Sequence, residues 1–335
     1  MMGHSKRHRD KHLGLPLLLV ILVLTVISSV PLWADGGFIF LVGLLLIQTV
    51  FALSYNILFG LTGLVSFGQA ALFATGAYAA AYLMRIFPDI PFLLALLAGG
   101  LAGGAIAALI GVVALRRASG IYFAILTLAL GQLVYTMIGK STALGREDGM
   151  TGIARPVLNF FLFEIDLSVG DRYFFFILAA CAVVAGLLWW VWYGRIGRIL
   201  YAVRQDPERV RFLGINVQRY REIAFIISGI TTAFAGALLG PWQQILTPEI
   251  ADWSYSALPI LMCLLGGATY YWGPAAGAVL FVGLSHATRM MPGISELLIG
   301  GVLLLVVLAV PGGVAAGLAR IGKPWRQSKE ERVYE

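Results

Sequence analysis

The chain has 335 residues, of which 59% are hydrophobic and 12% charged, and its mean hydropathy is +0.87. A soluble domain carries about twice that share of charge, so a water-soluble globular protein is excluded. The formal net charge of +7 would suit a nucleic acid or an acidic partner only if the basic residues formed one solvated patch.

They do not. Eighteen of the 24 basic residues and seven of the 17 acids fall in four regions: the first 12 residues, Arg116 with Arg117, the segment 194–222, and the tail after Ala319. These regions carry a net +11 and the rest of the chain a net −4. Placing the four basic regions in the cytoplasm satisfies the positive-inside rule, so the charge is a sign of topology and no nucleic acid is expected. Glycine, at 40 residues, lies inside apolar runs, where small residues let membrane helices approach closely. Cys181 and Cys263 also sit in apolar runs with no metal-ligand spacing, and neither a metal nor a cofactor is implied.

A spanning helix needs about 20 mostly apolar residues. Such runs lie near 13–33, 37–57, 68–87, 91–115, 119–139, 172–193 and 223–244. The first is too long for a signal peptide, and no small-residue cleavage site follows Trp33, so it reads as an anchor. The stretch from Ala257 to Pro311 is apolar but broken at Gly266-Gly267, Gly273-Pro274 and Pro292-Gly293. Both basic termini read as cytoplasmic, so the number of crossings is even. All three pieces counted as spans give ten helices; two of them counted as one re-entrant hairpin give eight. The expected fold is an all-α, polytopic membrane bundle of about ten helices, some broken. A cytoplasmic tail (1–12) precedes the membrane-spanning body (13–315), and a second tail (316–335) follows it.

Within the crossings, Gly99/Gly103 and Gly100/Gly104 have the small-xxx-small spacing that receives a neighbouring helix. No full charge lies near the centre of a crossing, whereas ion-coupled transporters place one at mid-depth. The energy for any transport therefore enters from outside the chain.

The stretch 56–78 departs most from a simple span. Gly60, Gly63 and Gly68 weaken a continuous helix, and Asn56, Thr62, Ser66 and Gln69 bring polar groups that hydrocarbon cannot satisfy. Irregular backbone is tolerated at membrane depth only inside protein or beside a wet cavity. Asn56, Gly60, Gly63, Ser66, Gly68 and Gln69 are thus candidate residues of a substrate pathway. Bonding to adjacent helices is the competing role for these polar groups. A second broken stretch at Gly266 and Gly267 adds two candidates. His286, inside an apolar run, reads as a packing histidine.

The segment 194–222, with seven arginines, contains two short helical patterns. Ile199, Leu200 and Val203 share one face of the first. Asp206 and Pro207 form an N-cap and first position for the second, and Gly214 ends it. Val210, Phe212 and Leu213 are its candidate apolar contacts. Such a helix suits the docking of a partner protein; binding of its arginines to anionic membrane lipid is the alternative.

At this point the motifs become specific. Gly60-x-x-Gly-x-x-Ser-x-Gly-Gln69, Tyr122-Phe-Ala-Ile-Leu-Thr-Leu128, Glu147-Asp-Gly-Met-Thr-Gly-Ile153, Asp206-Pro-Glu-Arg209, Leu213-Gly-Ile-Asn216, Thr247-Pro-Glu249 and Leu265-Gly-Gly267 occur in this order. The series resembles the permease subunits of branched-chain amino-acid ABC importers, the LivM/LivH family, on its LivM side. The resemblance implies an inner-membrane subunit paired with a second, LivH-like permease, two cytoplasmic ATPase subunits and a periplasmic binding protein. It also implies that Ala202, Arg204, Asp206, Glu208, Arg209, Leu213 and Gly214 belong to the loop that couples to the ATPase. Ala268-Thr-Tyr-Tyr-Trp272 departs from the small residues usual after Leu-Gly-Gly, and relatives that carry urea, short amides or other small acids leave the cargo open. A membrane enzyme is disfavoured: there is no phosphate loop, no His-Glu-x-x-His and no carboxylate pair or nucleophile-base cluster in a crossing. Glu147, Asp148, Glu164 and Asp166 fall in an outer loop over 140–171, suited to contact with the binding protein.

Overall fold

The protein is described by a computed structural model, which covers residues 22–118, 120–160, 163–168, 170–289, 293, 295–309 and 312–321. The first basic tail, the part of the second beyond Ile321, and the first part of the anchor expected over 13–33 lie outside the described residues. Helix α1 (Leu22–Leu32) closes in a 3-10 turn over Val30–Leu32. The long helices follow: α2 (Gly36–Thr62), α3 (Gln69–Ile86), α4 (Phe92–Arg117), α5 (Ile121–Lys140) and α6 (Gly170–Tyr193). Two short helices, α7 (Arg195–Gln205) and α8 (Pro207–Phe212), lead into α9 (Val217–Gln243). The chain ends in α10 (Trp253–Gly266), α11 (Gly273–Ala287), α12 (Ser295–Ala309) and α13 (Gly313–Ile321).

Helices α2, α4, α5, α6 and α9 are long and apolar enough to cross a membrane. Five of the expected runs, near 37–57, 91–115, 119–139, 172–193 and 223–244, correspond to these helices, and the run near 68–87 corresponds to α3, which is not among the five. One change is of consequence. Helix α2 continues through Asn56 and Gly60 to Thr62, so the break that the glycines announce is confined to residues 63–68. Gly60 is there for a close approach instead of a bend: a side chain on it would collide with the Ala268 carbonyl and the Asn56 amide. Helix α13 has no counterpart among the sequence-based expectations.

Helices α2 and α9 form the centre, and from Ile47 to Thr62 nearly every residue of α2 is buried. Helices α3 and α4 pack on α9, α6 packs on α2, and the hairpin of α10 and α11 lies along α2. Hydrophobic burial cannot drive helix association between apolar surfaces already in lipid, so close packing and buried polar bonds must do so. Small residues make the packing. Gly76 of α3 lies on the Ala233 backbone of α9, and Gly236 of α9 lies on the Phe73 carbonyl. Gly103 of α4 receives the Ala233 methyl, and Gly104 faces Ile230. The small-xxx-small pattern thus marks the α4–α9 contact.

The helices share two ends. At the basic end, Arg116 closing α4 pairs with Glu222 opening α9 at 3.5 Å, and α7 and α8 lie between α6 and α9. At the opposite end the all-α expectation omits two small antiparallel ribbons. Strand β1 (Met150–Thr151) pairs with β4 (Ile245–Leu246), Met150 opposite Leu246. Strand β2 (Val157–Phe160) pairs with β3 (Phe163–Asp166), Val157 opposite Asp166. Arg155 lies 5.7 Å over the Trp242 ring, fastening this loop to the end of α9. Beyond the ribbon, Asp166 accepts from the Ser168 amide at 2.8 Å, which holds its carboxyl below the usual range and keeps it ionised.

Candidate functional site

Three features highlighted by the sequence meet at the basic end of α2. The first is the break. Gly63 caps α2 in the left-handed conformation, φ +73°, and its amide donates to the Phe59 carbonyl at 3.0 Å; glycine adopts this conformation without the steric cost other residues meet. The six-residue connection then carries amides that lipid cannot satisfy, and side chains of the helices and of the connection itself take them up. The Ser66 amide donates to Tyr55 Oη at 3.3 Å, Phe67 to Thr127 Oγ1 at 3.2 Å, and Gly68 to Ser66 Oγ at 3.2 Å. The Ala70 amide, in the first turn of α3, donates to Ser256 Oγ at 2.9 Å. A side chain at Gly68 would come within 2.8 Å of the Thr127 carbonyl, so α5 fits against the break only because glycine stands there.

Ser66 and Gln69 are fully buried. Gln69 accepts from Thr232 Oγ1 at 3.3 Å, while its Nε2 and the nearby Ser228 Oγ on α9 have no partner among the described residues. The backbone amides of Ser66, Phe67, Gly68 and Ala70 are thus engaged, not open to a ligand. Tyr55, Thr127, Thr232 and Ser256 are the residues that sequence reasoning passed over as site components. Their signal was available: each is a hydroxyl in a largely apolar crossing, which is costly unless something accepts or donates to it.

The second feature is the turn between α10 and α11. Gly267, at φ +102°, donates to the Cys263 carbonyl at 2.9 Å. Gly266 lies directly on the Gly273 backbone, and Gly277 on the Met262 carbonyl, so these glycines let the two legs touch. The turn reaches α2: Asn56 Nδ2 donates to the Tyr270 carbonyl at 3.4 Å. The buried Asn56 Oδ1 has no partner among the described residues. Asn56, Gly60, Gly63, Gly266 and Gly267 therefore gather at one place, whereas Ser66 and Gln69 point into the bundle. His286 is exposed and not packed in the core; with Gln48 and Arg289 it borders an open groove of about 250 Å³.

The third feature is the arginine-rich segment. Asp206 caps α8 by accepting from the Arg209 amide at 3.0 Å and pairs with its guanidinium at 3.2 Å. Gly214, at φ +79°, ends the turn. Val203, Val210 and Val217 form a buried cluster with Ile199 and Ile215 against them, and Leu200 enters the main core. Val210 thus holds the loop together instead of offering a contact. Phe212 and Leu213 are 91% and 74% exposed, and Ala202, Glu208 and Arg209 are exposed beside them. Arg204 is exposed as well, but it reaches back to α2, its Nη1 donating to the Gly60 carbonyl.

The architecture is that of a polytopic helical membrane protein whose central helix breaks beside a capped, arginine-rich loop. The sequence model of one family, described as "Branched-chain amino acid transport system / permease component", matches residues 37–308. The chain belongs to this family. It is 29% identical over 321 residues to the high-affinity branched-chain amino acid transport system permease protein LivM of Escherichia coli K12, covering 89% of this chain and 74% of that one. The LivH permease protein of the same strain is 24% identical, with 78% and 89% covered. The D-allose transport system permease protein AlsC, also from that strain, is 25% identical over 62% of this chain and 60% of its own length. No solved structure matches the chain.

Proposed function

We propose that the chain is a permease subunit of a bacterial ABC importer that passes branched-chain or related small amino acids across the inner membrane. The basic end faces the cytoplasm, with both termini, and the ribbon-bearing end faces the periplasm. A LivH-like permease completes the membrane unit, a periplasmic binding protein delivers substrate to the 140–171 loop, and two ATPase subunits hydrolyse ATP. The chain itself catalyses no reaction. The observation that carries the reading is α8: a rigid, capped helix at the basic end whose Phe212 and Leu213 are exposed, on a segment that touches the broken helix. A solvated loop gains nothing by exposing adjacent large apolar residues, whereas an interface does.

The body of the permease spans residues 13–315, with cytoplasmic tails at 1–12 and 316–335. We assign ten crossings. Legs of 14 and 15 residues are only about 21–23 Å long, but the turn joining them lies against Gly60, two residues from the end of α2. Substrate passes by the Asn56, Gly60, Gly63, Gly266 and Gly267 cluster, with Ser66, Gly68 and Gln69 shaping the break beside it. The likeness to LivM favours leucine, isoleucine and valine as cargo, and the weaker likeness to a D-allose permease shows that related permeases carry other solutes. Reconstitution with the neighbouring ATPases, second permease and binding protein tests the whole reading: ATP-dependent leucine uptake is expected, and ATP hydrolysis by the isolated chain would refute it.

A further inference from the structure

The last four carbonyls of an α-helix have no partner within it. At the end of α2, which closes at Thr62, the first of these, Phe59, is taken by the Gly63 amide at 3.0 Å. Gly60, next in line, is taken by Arg204. A guanidinium is well suited to the task, because the helix C-terminus carries partial negative charge and the bond is charge-assisted. The arginine reaches it by lying across Gly63: a side chain on that glycine would stand 3.6 Å from Arg204 Cγ and 3.7 Å from Nε. The residue that turns the chain out of α2 is also the floor on which the arginine rests.

What Arg204 is attached to gives this contact its meaning. It lies in the last turn of α7, anchored by the buried Leu200 and Val203, and Asp206 follows as the N-cap of α8. At its other end, the Gly60 turn of α2 touches the Ala268 carbonyl, and Asn56, one turn earlier, holds the Tyr270 carbonyl. The docking helix, the end of the broken helix and the α10–α11 turn are thus joined in series through one side chain. We propose that Arg204 is a positioning residue, a strut that carries displacement of the docked α8 into the end of α2 and the α10–α11 turn. This rests on the docking reading given above. Arg204 is an exposed residue, yet its Nη1 is committed to the Gly60 carbonyl, whereas Phe212 and Leu213 are exposed with no such tie, so its work is transmission and not attachment.

The test uses the reconstituted complex with Arg204→Gln and, as the conservative variant, Arg204→Lys, beside a docking control, Leu213→Asp. Arg204→Gln should still purify with its ATPase subunits while uptake falls and ATP consumed per substrate moved rises by about 10- to 100-fold, the range of a coupling between distinct sites. Arg204→Lys, which restores a cationic donor, should recover part of that ratio. Leu213→Asp should instead lose the ATPase subunits. Uptake and coupling ratio within two-fold of wild type in Arg204→Gln would overturn the strut, as would loss of the ATPase, which would make Arg204 an attachment residue. Failure of the wild-type chain to hold any ATPase would remove the docking reading and the strut with it. A second measurement leaves Arg204 intact: spin labels at Ala202→Cys and Tyr270→Cys should keep their separation through the ATP cycle. A change of about one helical turn, ~5 Å, would refute the strut even if Arg204 variants do not accumulate.

Discussion

The phenol of Tyr55 accepts a hydrogen bond from the Ser66 amide, 11 residues further on, at 3.3 Å. Helix α2 thus supports from within the bundle the break that it leads into. Tyr55 is fully buried, so in Tyr55→Phe the Ser66 amide has no water to turn to. A buried unsatisfied amide costs about 1–3 kcal/mol, reduced toward about 0.6 where membrane neighbours supply substitutes. Tyr55→Phe should lower the melting temperature in detergent measurably. Thr127→Val and Ser256→Ala each remove a further prop, of the amides at Phe67 and Ala70. Because all three serve one loop, their effects should not add. A double variant that melts at the temperature predicted by simple addition would show the props to be independent.

The glycine contacts give a second prediction, in which position and not residue type decides. Gly76→Ala puts a methyl into the Ala233 backbone, and Gly103→Ala puts one into the Ala233 methyl. Overpacking of this kind costs about 1–3 kcal/mol. Gly283 and Gly300 have nothing near the place of an added carbon, and both belong to helices, so alanine there should be neutral or slightly stabilising. Thermal melts of the four variants separate the two classes; equal destabilisation in all four would mean that glycine serves helix flexibility instead of close approach.

The contrast between these sites also explains what a reader of the sequence recovers. Span positions are legible because about 20 apolar residues are required at each crossing, and the ends of α4, α5 and α6 follow, while α9 starts at Val217, in the polar segment before the expected run. The α8 cap is legible because Asp206, Pro207 and Gly214 each have one local role. The role of Gly60 is not, since a glycine in a helix looks the same whether it bends the chain or admits the Ala268 carbonyl. Nor are the bonds from Arg204 to Gly60, 144 residues away, and from Asn56 to Tyr270, 214 away. Charge alone places Arg204 among the exposed arginines of its segment. Only the packing of α7 on α2 brings the guanidinium of this still exposed residue to the Gly60 carbonyl.

Around the docking helix the two faces should respond differently. Phe212→Asp removes an exposed apolar group that holds nothing within the chain, so folding should be unaffected while ATPase subunits no longer purify with it. Val210→Asp buries a charge in the Val203 and Val217 cluster and should reduce accumulation of the chain itself. Asp206→Ala removes the cap and should cost about 1 kcal/mol, leaving a weakened but assembled complex. Gly214→Ala meets no neighbour and pays only for its positive φ, also about 1–2 kcal/mol. Pull-down of the ATPase from membranes containing equal amounts of each chain gives the order. A Phe212→Asp chain that retains the ATPase would place the interface elsewhere.

The assignment of ten crossings is open to a direct chemical test. Tyr270 is 42% exposed and sits in the turn that touches the basic end of α2. If α10 and α11 both cross, this turn belongs to the cytoplasmic surface, and a cysteine there is wetted from that side. The two native cysteines, Cys181 and Cys263, are buried and give little background. In inside-out vesicles Tyr270→Cys should react with a membrane-impermeant maleimide about as readily as Leu213→Cys, an exposed control on the same face. In right-side-out vesicles neither should react, because thiolate chemistry needs water at the sulfur. Protection of Tyr270→Cys from both sides would make the α10–α11 hairpin re-entrant and the number of crossings eight. Labelling from the outside alone would place the turn on a passage open to the periplasm, and the Asn56 to Gly60 face of α2 with it.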